Sequence, residues 1–355
     1  MAPLSAARRI LRIVLLLVLL VVAAGAYLVY RLQHPVPAAQ PGMEVTLLFA
    51  PGTSTAEIFR QLAEHGVVSD ARLAEVYYRL YRAGTHLQAG EYRFSRPMPI
   101  DDAINRMARG EVVKYTVVVP EGLTAEETFQ LFWKQGIGGP QAFEEALRAT
   151  ELLPGLTQGV SDLEGFLFPN TYVVTRSTSA RQIIDRMVDE FRRSFTPEMR
   201  KEADALGLTP RQAVTLASIV EKESALPEEG PVIASVYLNR LKKGMRLQAD
   251  PTVIYALKRD GVWMGTLHRT DYAYDSPYNT YLYGGLPPGP ICNPGLKALR
   301  SALNPDQTDF LYFVADDSGG HTFSRTFEEH LHAIAGVRRQ RAEASGDGAP
   351  AADPH

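Results

Sequence analysis

Residues 13–30 form an uncharged apolar run of 18 residues, and no other feature restricts the fold of this chain as severely. As a helix rising 1.5 Å per residue, the run is just long enough to cross a bilayer core of about 30 Å. Arg8, Arg9 and Arg12 precede it, so the positive-inside rule keeps the amino terminus cytoplasmic and exports everything beyond Arg31. Tyr27 and Tyr30 suit the far interface. The small residues Ala23, Ala24, Gly25 and Ala26 also allow a cleaved signal peptide. The length and apolarity of the run favour an uncleaved single-pass anchor over that reading.

The remainder has an ordinary globular composition. With 355 residues, 45% hydrophobic and 22% charged, there is room for two or three domains. A net charge of −3, with no basic tract after the first dozen residues, gives no case for nucleic acid as a partner. The single cysteine, Cys292, excludes an intramolecular disulfide and reads as a small buried or loop residue.

Residues 34–43 contain Pro35, Pro37 and Pro41 and read as a semi-rigid spacer. A folded unit opens with the strand VTLLF and the turn residues Pro51 and Gly52. Ser54 or Thr55 then caps the helix AEIFRQLAEHG, which Gly66 ends. A second helix, LAEVYYRLYRAG, and the strand-like QAGEYRF complete a β-α-α-β order, and residues 99–108 read as a further helix stopped by Gly110. The opening recurs seventy residues on, in KYTVVVPEGLTAEETFQLFWKQG: Thr46 matches Thr116, Gly52 matches Gly122, Glu57 matches Glu127, Phe59 matches Phe129 and Gly66 matches Gly136. Two strand–turn–helix units of one design are expected.

In SDLEGFLFPNTY, Phe166, Phe168 and Tyr172 surround Glu164, either as a buried turn with the carboxylate satisfied by backbone N–H groups or as the wall of a groove. ARQIIDRMVDEFRRSF then reads as an amphipathic structural helix.

The richest stretch is residues 209–255, TPRQAVTLASIVEKESALPEEGPVIASVYLNRLKKGMRLQADPTVIY. Thr209 and Pro210 make a helix start, and Ala213, Leu216, Ala217 and Val220 form an apolar stripe at helical spacing. Glu221 falls on one edge of that stripe and Glu223 on the other, with Lys222 toward water. A carboxyl at such a margin is partly desolvated, which raises its pKa toward the range a general acid needs; a solvated helix-end glutamate is the plainer alternative. A second helix, VIASVYLNRLKKG, follows Gly230 and Pro231, residues 245–248 alternate like a strand, and Asp250 before Pro251 reads as an N-cap. Five of the sixteen tyrosines lie between Tyr272 and Tyr283, ahead of Gly284, Gly285 and LPPGP. Rings offer apolar faces to sugars while their hydroxyls bond at the rim, so this loop suits the wall of a polysaccharide groove. FLYFVADDSGGHTFS reads as a hairpin with Ser318, Gly319 and Gly320 in the turn and His321 opening its second strand. His330 and His332 follow without any HExxH pattern, so no metal is expected.

Four blocks in order, LASIVEKES, NRLKKGMRLQADPTVIYAL, YNTYLYGGLPPGPICNPG and LYFVADDSGGHTFSRTFEEH, together with EGFLFPNTY and the amino-terminal anchor, resemble the endolytic murein transglycosylase (MltG or YceG-like) family. The resemblance implies an α+β chain: one transmembrane helix, a LysM-like βααβ module and a mixed α/β catalytic region. The implied layout is a cytoplasmic segment over 1–12, the anchor over 13–30, a linker over 31–43, the LysM-like module over 44–113, the catalytic region over 114–340 and a disordered tail over 341–355. It implies a plasma (inner) membrane protein whose exported region cleaves peptidoglycan glycan strands, with no cofactor and with wall-synthesis enzymes as candidate partners. Glu221 is the implied acid/base, and Gln248, Tyr278, Asn279, Thr280 and His321 are the implied substrate contacts. The implied chemistry protonates the MurNAc–GlcNAc oxygen and closes the MurNAc C6 hydroxyl into a 1,6-anhydro ring. Two rivals are a hydrolytic muramidase using Glu221 with Asp250 or Glu223, and a non-catalytic glycan-binding scaffold.

Overall fold

The apolar run forms part of helix α1 (Pro3–Gln33) in a computed structural model, which describes residues 3–34, 43–154, 156 and 161–344. Among the described residues, α1 is the one helix long and apolar enough to cross a membrane, and its apolar side chains are exposed through Leu28, as a membrane anchor requires. The expected Pro-rich spacer falls mainly on residues 35–42 and the expected tail mainly on 345–355; both stretches lie outside the described residues.

The chain divides into two compact units, residues 1–115 with 173–178, and residues 116–172 with 179–355. In the first, β1 (Met43–Phe49), α2 (Thr55–Glu64), α3 (Ala71–Tyr81) and β2 (Gly90–Arg96) follow in order, and α4 (Ile100–Ala108) completes it. β1 and β2 pair antiparallel from Met43↔Arg96 to Phe49↔Gly90. Ser54 and Asp70 cap α2 and α3 by accepting from the N–H groups of Glu57 and Leu73. The inward residues Phe49, Phe59, Leu62, Tyr92, Phe94 and Ile104 are fully buried, each contributing roughly 1.5–3 kcal/mol of apolar transfer. Gly90 is required there: its φ is +148°, and a Cβ would sit 2.4 Å from Val112 Cγ1. The carboxyl-terminal end of α1 packs in this unit, with Leu32 buried and the Gln33 amide donating to Asp101 (2.7 Å) and Tyr77 (2.9 Å).

β3 (Tyr115–Val118) leads to α5 (Ala125–Trp133) and α6 (Pro140–Leu147), and β4 (Thr171–Val174) pairs with β3. The seventy-residue repeat therefore forms as two strand–turn–helix units, β1–α2 and β3–α5. Gly52 and Gly122 both take left-handed backbone, at φ +86° and +77°. The two units differ at the cap. Thr124 and Glu127 close a reciprocal capping box, whereas the Glu57 carboxylate turns to Arg60.

After α7 (Ala180–Ser194) and α8 (Pro197–Ala205), the chain enters α9 (Pro210–Glu223), started by Thr209 in a capping box with Gln212. α9 is the centre of the second unit. It packs against α8, α10 (Gly230–Lys242), α11 (Asp250–Arg259) and α12 (Leu296–Leu303). All eight residues from Ala213 to Val220 are buried, not only the expected stripe. The two hydroxyls among them are satisfied, Thr215 donating to the Arg211 carbonyl and Ser218 to that of Thr215. Cys292 packs against α9 with its thiol toward the Ser218 carbonyl, and burial raises its pKa well above the usual thiol range. The chain closes with the hairpin β5 (Tyr312–Ala315) and β6 (His321–Ser324), antiparallel as expected, and with α13 (Phe327–Ala344). Residues 245–248 join no sheet, and Gln248 takes left-handed backbone instead of a strand conformation, a correction to the strand expected there. Helices with three small two-stranded sheets match the expected mixed α and β class.

Candidate active site

α9 ends at Glu223, and Ser224 N–H closes its last turn on the Val220 carbonyl. The two glutamates at this end face different surroundings. Glu221 Oε2 accepts the N–H of Gly295 at 2.9 Å, the N-cap residue of α12. A carboxylate there offsets the positive end of the helix dipole. Burial raises the pKa of Glu221, and nearby Glu121 adds to the rise, while the Gly295 N–H and Lys222 oppose it. The cavity beside it holds only about 50 Å³, room for a few waters but not for a sugar.

Glu223 opens into a cleft of about 280 Å³ walled by Tyr237, Arg240, Gln248, Asp250, Tyr281 and Tyr312. Its Oε1 accepts from Tyr237 Oη at 2.8 Å. Burial pushes its pKa up to about 7, with the negative charge of Asp250 adding to the rise; Tyr237, His321 and Arg240 pull the other way. A carboxyl that is half protonated near neutral pH can both give and take a proton.

The cleft is built by α9, α10, α11 and the loops around them. Arg240 on α10 is buried and held on two sides: Nε donates to the Leu311 carbonyl and Nη1 to that of Leu247, both at 2.6 Å, and its guanidinium lies 5.2 Å from the Tyr312 ring centroid. It fixes the hairpin and the Leu247–Gln248 turn to one helix. Gln248 takes a left-handed backbone, φ +51°, the one described non-glycine residue to do so. That conformation costs a residue of this type about 1 kcal/mol or more. Its N–H donates to the Thr280 carbonyl, and its exposed side chain lies on the cleft wall.

Asp250 is not the cap that its position before Pro251 suggested. α11 starts at Asp250 itself, Ala249 occupies the cap position, and no side chain caps it. The Asp250 carboxylate accepts instead from Tyr281 Oη at 2.5 Å and Tyr272 Oη at 3.3 Å. Two phenols compete better for the carboxylate than the backbone N–H groups that a helix start also offers to water.

The other expected contacts separate. His321 is beside the cleft, its ring edge-on to Phe313 with centroids 5.1 Å apart, and Nδ1 is 2.6 Å from Glu229 Oε2. Its N–H donates to the other Glu229 oxygen, so one carboxylate holds both backbone and ring. Asn279 is wholly buried, its amide donating to the Tyr272 and Tyr274 carbonyls while its oxygen accepts from Tyr281 N–H. Thr280 is buried too, bonding Ala249 N–H and the Thr252 hydroxyl. These two residues shape the tyrosine loop from inside and present no polar atom to the cleft. Tyr278 lies elsewhere, its ring tilted against Tyr255 and under Arg259. Glu164, the floor of that second region, accepts Ala125 N–H on both oxygens (3.0 and 3.2 Å), and burial pushes its pKa up to about 8.

Sequence reasoning missed Tyr237, Arg240, Glu229 and Tyr281. Arg240 left one signal, a charge four residues after Val236 on the apolar face of α10. Glu229 left none, because its partner His321 is 92 residues away. Among the described residues, no three His, Cys, Asp or Glu side chains cluster as metal ligands.

The YceG-like family model matches residues 48–336. A Bacillus subtilis (strain 168) protein named endolytic murein transglycosylase is 34% identical over 297 residues, covering 79% of this chain and 81% of that protein. A Streptococcus pneumoniae (serotype 2, strain D39) protein of the same name is 31% identical over 357 residues, covering 90% of this chain and 64% of that one. The crystal structure of a yceG-like protein from Listeria monocytogenes superposes with a TM-score of 0.56 at 33% identity, covering 81% of this chain and 98% of that chain.

Proposed function

Given that the chain belongs to the YceG-like family and is a lytic transglycosylase by its relatives, we propose that Glu223 is the acid and base with which it cuts MurNAc–GlcNAc bonds inside peptidoglycan strands. One observation carries this reading: Glu223 is the glutamate of α9 that opens into a sugar-sized cleft, with a pKa near 7. Family resemblance pointed to Glu221, but its small cavity and its bond to Gly295 suit a helix-capping role better.

In the proposed reaction, protonated Glu223 gives its proton to the glycosidic oxygen as the bond from MurNAc C1 breaks. The carboxylate so formed takes the proton of the C6 hydroxyl on the same MurNAc, and C6–O closes on C1 to give the 1,6-anhydro end. The nucleophile travels with the substrate, so proximity replaces an activated water. Tyr237 steadies the carboxylate, and the Asp250 charge keeps its proton affinity high enough for the first step. Gln248 contacts the strand at the wall, and His321 positions the hairpin side through Glu229. Asn279 and Thr280 hold the loop rather than touch sugar.

A second reading has one observation in its favour. Asp250 lines the same cleft, so Glu223 and Asp250 would supply the two carboxylates of a hydrolytic muramidase. Digestion of purified peptidoglycan with mass spectrometry of the ends separates the two: anhydro ends support the transglycosylase, reducing ends the hydrolase. Running Glu221→Gln and Glu223→Gln beside the wild type assigns the acid.

The remaining reading is architectural. The β1–α2–α3–β2 order with paired antiparallel strands supports a LysM-like module that contacts glycan. Arg8, Arg9 and Arg12 ahead of the apolar run support an inner-membrane anchor with its amino terminus in the cytoplasm and the cleft outside.

A further inference from the structure

A second groove lies in the same unit as the cleft. It holds about 480 Å³ between α5 and the carboxyl-terminal end of α11, and it adjoins a space of about 220 Å³ beside Tyr278. Both spaces share Asp162, Glu164 and Arg259 as lining. The local chain builds an aromatic lip for it. Gly261, at φ +71°, ends α11 in left-handed backbone, and Val262 N–H turns back to the Leu257 carbonyl. Trp263 is thereby set at the lip, half-buried, between the exposed Val262 and Met264.

Charge is distributed unevenly around it. Lys258 is neutralised by Glu127 at 2.8 Å. Arg259 is exposed, lies 5.1 Å from the Tyr278 ring centroid, and forms no ion pair within 4.0 Å among the described residues, although Asp162, which lines both spaces, acts on its charge from further away. The Glu164 floor, with its raised pKa, adds little negative charge at neutral pH. An aromatic face beside a guanidinium that lies over a phenol ring and makes no salt-bridge contact is the chemistry that receives a sugar ring with a carboxylate appended to it.

The groove is also tied to the cleft. α11 begins at Asp250 in the cleft and ends at Arg259 in the groove, a span of about 13 Å at 1.5 Å per residue. The tyrosine loop does the same, with Tyr281 in the cleft and Tyr278 beside the groove.

We propose that this groove is a distal binding site for an N-acetylmuramyl segment of the strand being cut, with a sugar face on Trp263 and its carboxylate at Arg259. The proposal rests on peptidoglycan being the substrate. The carboxylate is either the lactyl group of a bare strand or that of an attached stem peptide, and the test distinguishes them. In full-length Glu223→Gln protein, Trp133→Phe leaves Trp263 as the sole tryptophan. If that variant does not fold, the difference in emission between Glu223→Gln protein with and without Trp263→Phe reads the same signal. Titration with soluble glycan strands should change the emission saturably, and Arg259→Ala should weaken binding at least tenfold. Tighter binding of bare strands assigns the lactyl carboxylate, which an attached stem peptide ties up as an amide; tighter binding of peptide-bearing strands assigns the stem peptide; equal binding of both removes the carboxylate from the proposal. In active protein, Trp263→Ala should lower kcat/KM at least tenfold on long strands and leave a tetrasaccharide unaffected. No emission change with either strand, or equal loss on long and short substrates, overturns the proposal. Emission changes in the Glu223→Gln protein, together with a wild-type protein that cleaves no strand, would keep the groove and remove the catalytic reading instead.

Discussion

Replacing Glu223 by Gln should trade activity for stability, and both sides can be sized. Glu223 titrates near 7 in the fold against 4.5 as a free side chain, so the folded state favours the protonated form. The sign follows directly. Below about pH 4.5 both states are protonated and the residue costs nothing; as pH rises toward 7 the unfolded chain ionises first and stability falls; above 7 the cost is constant. A gap of that size corresponds to about 3 kcal/mol, and the part of the side chain open to cleft water trims this to about 2 kcal/mol. The amide side chain of the Glu223→Gln variant never ionises and still accepts from Tyr237. Its Tm should therefore match wild type near pH 4 and exceed it by about 5 °C at pH 8. Release of anhydro-ended fragments should fall by about 10⁴, the upper end for loss of a general acid–base, or about 5 kcal/mol of barrier. In the wild type, kcat/KM should be flat below pH 7 and decline above it, because the acid must be protonated. Calorimetry at pH 4 and pH 8, with product analysis by mass spectrometry, reads all of this. Turnover in Glu223→Gln within tenfold of wild type, or a Tm gap that does not widen with pH, refutes the reasoning.

Glu221→Gln should keep the Gly295 bond through its amide oxygen and lose less than about tenfold in rate; a dead but folded variant would return the acid to Glu221. Asp250→Asn removes the charge that raises Glu223's pKa, so the alkaline limb of the rate profile should move to lower pH; an unmoved limb would show that the two carboxyls are not coupled. Gln248→Gly should gain roughly 1 kcal/mol by relieving its left-handed backbone yet turn over long strands more slowly, and unchanged kinetics would dismiss Gln248 as a contact. A reporter fused after Met43 should be active only in an exported compartment; cytoplasmic activity would reverse the orientation.

What the sequence determined by itself was local. The apolar run of α1, the strand–turn–helix repeat, the Thr209–Pro210 helix start and the 312–324 hairpin all rest on spacing, caps and turn residues within a few positions of one another, and each forms as read. The sequence also set Glu221 and Glu223 on opposite margins of one helix at 100° per residue, and family resemblance made this helix end the candidate for the proposed acid. Tertiary structure alone decided what each margin faces. Glu221 meets the N-terminus of α12, 74 residues later in the chain, and Glu223 meets Tyr237 and the Asp250 charge. Asp250 shows why such choices are illegible in the sequence. Before a proline it reads as a cap, but two phenols from a loop 22 and 31 residues on claim its oxygens. Asn279 and Thr280 fail in the opposite sense: polar residues in a tyrosine-rich loop look like binding groups until the fold turns them inward to satisfy buried backbone. Proton affinity depends on burial and on neighbouring charge, and both are properties of packing between distant segments.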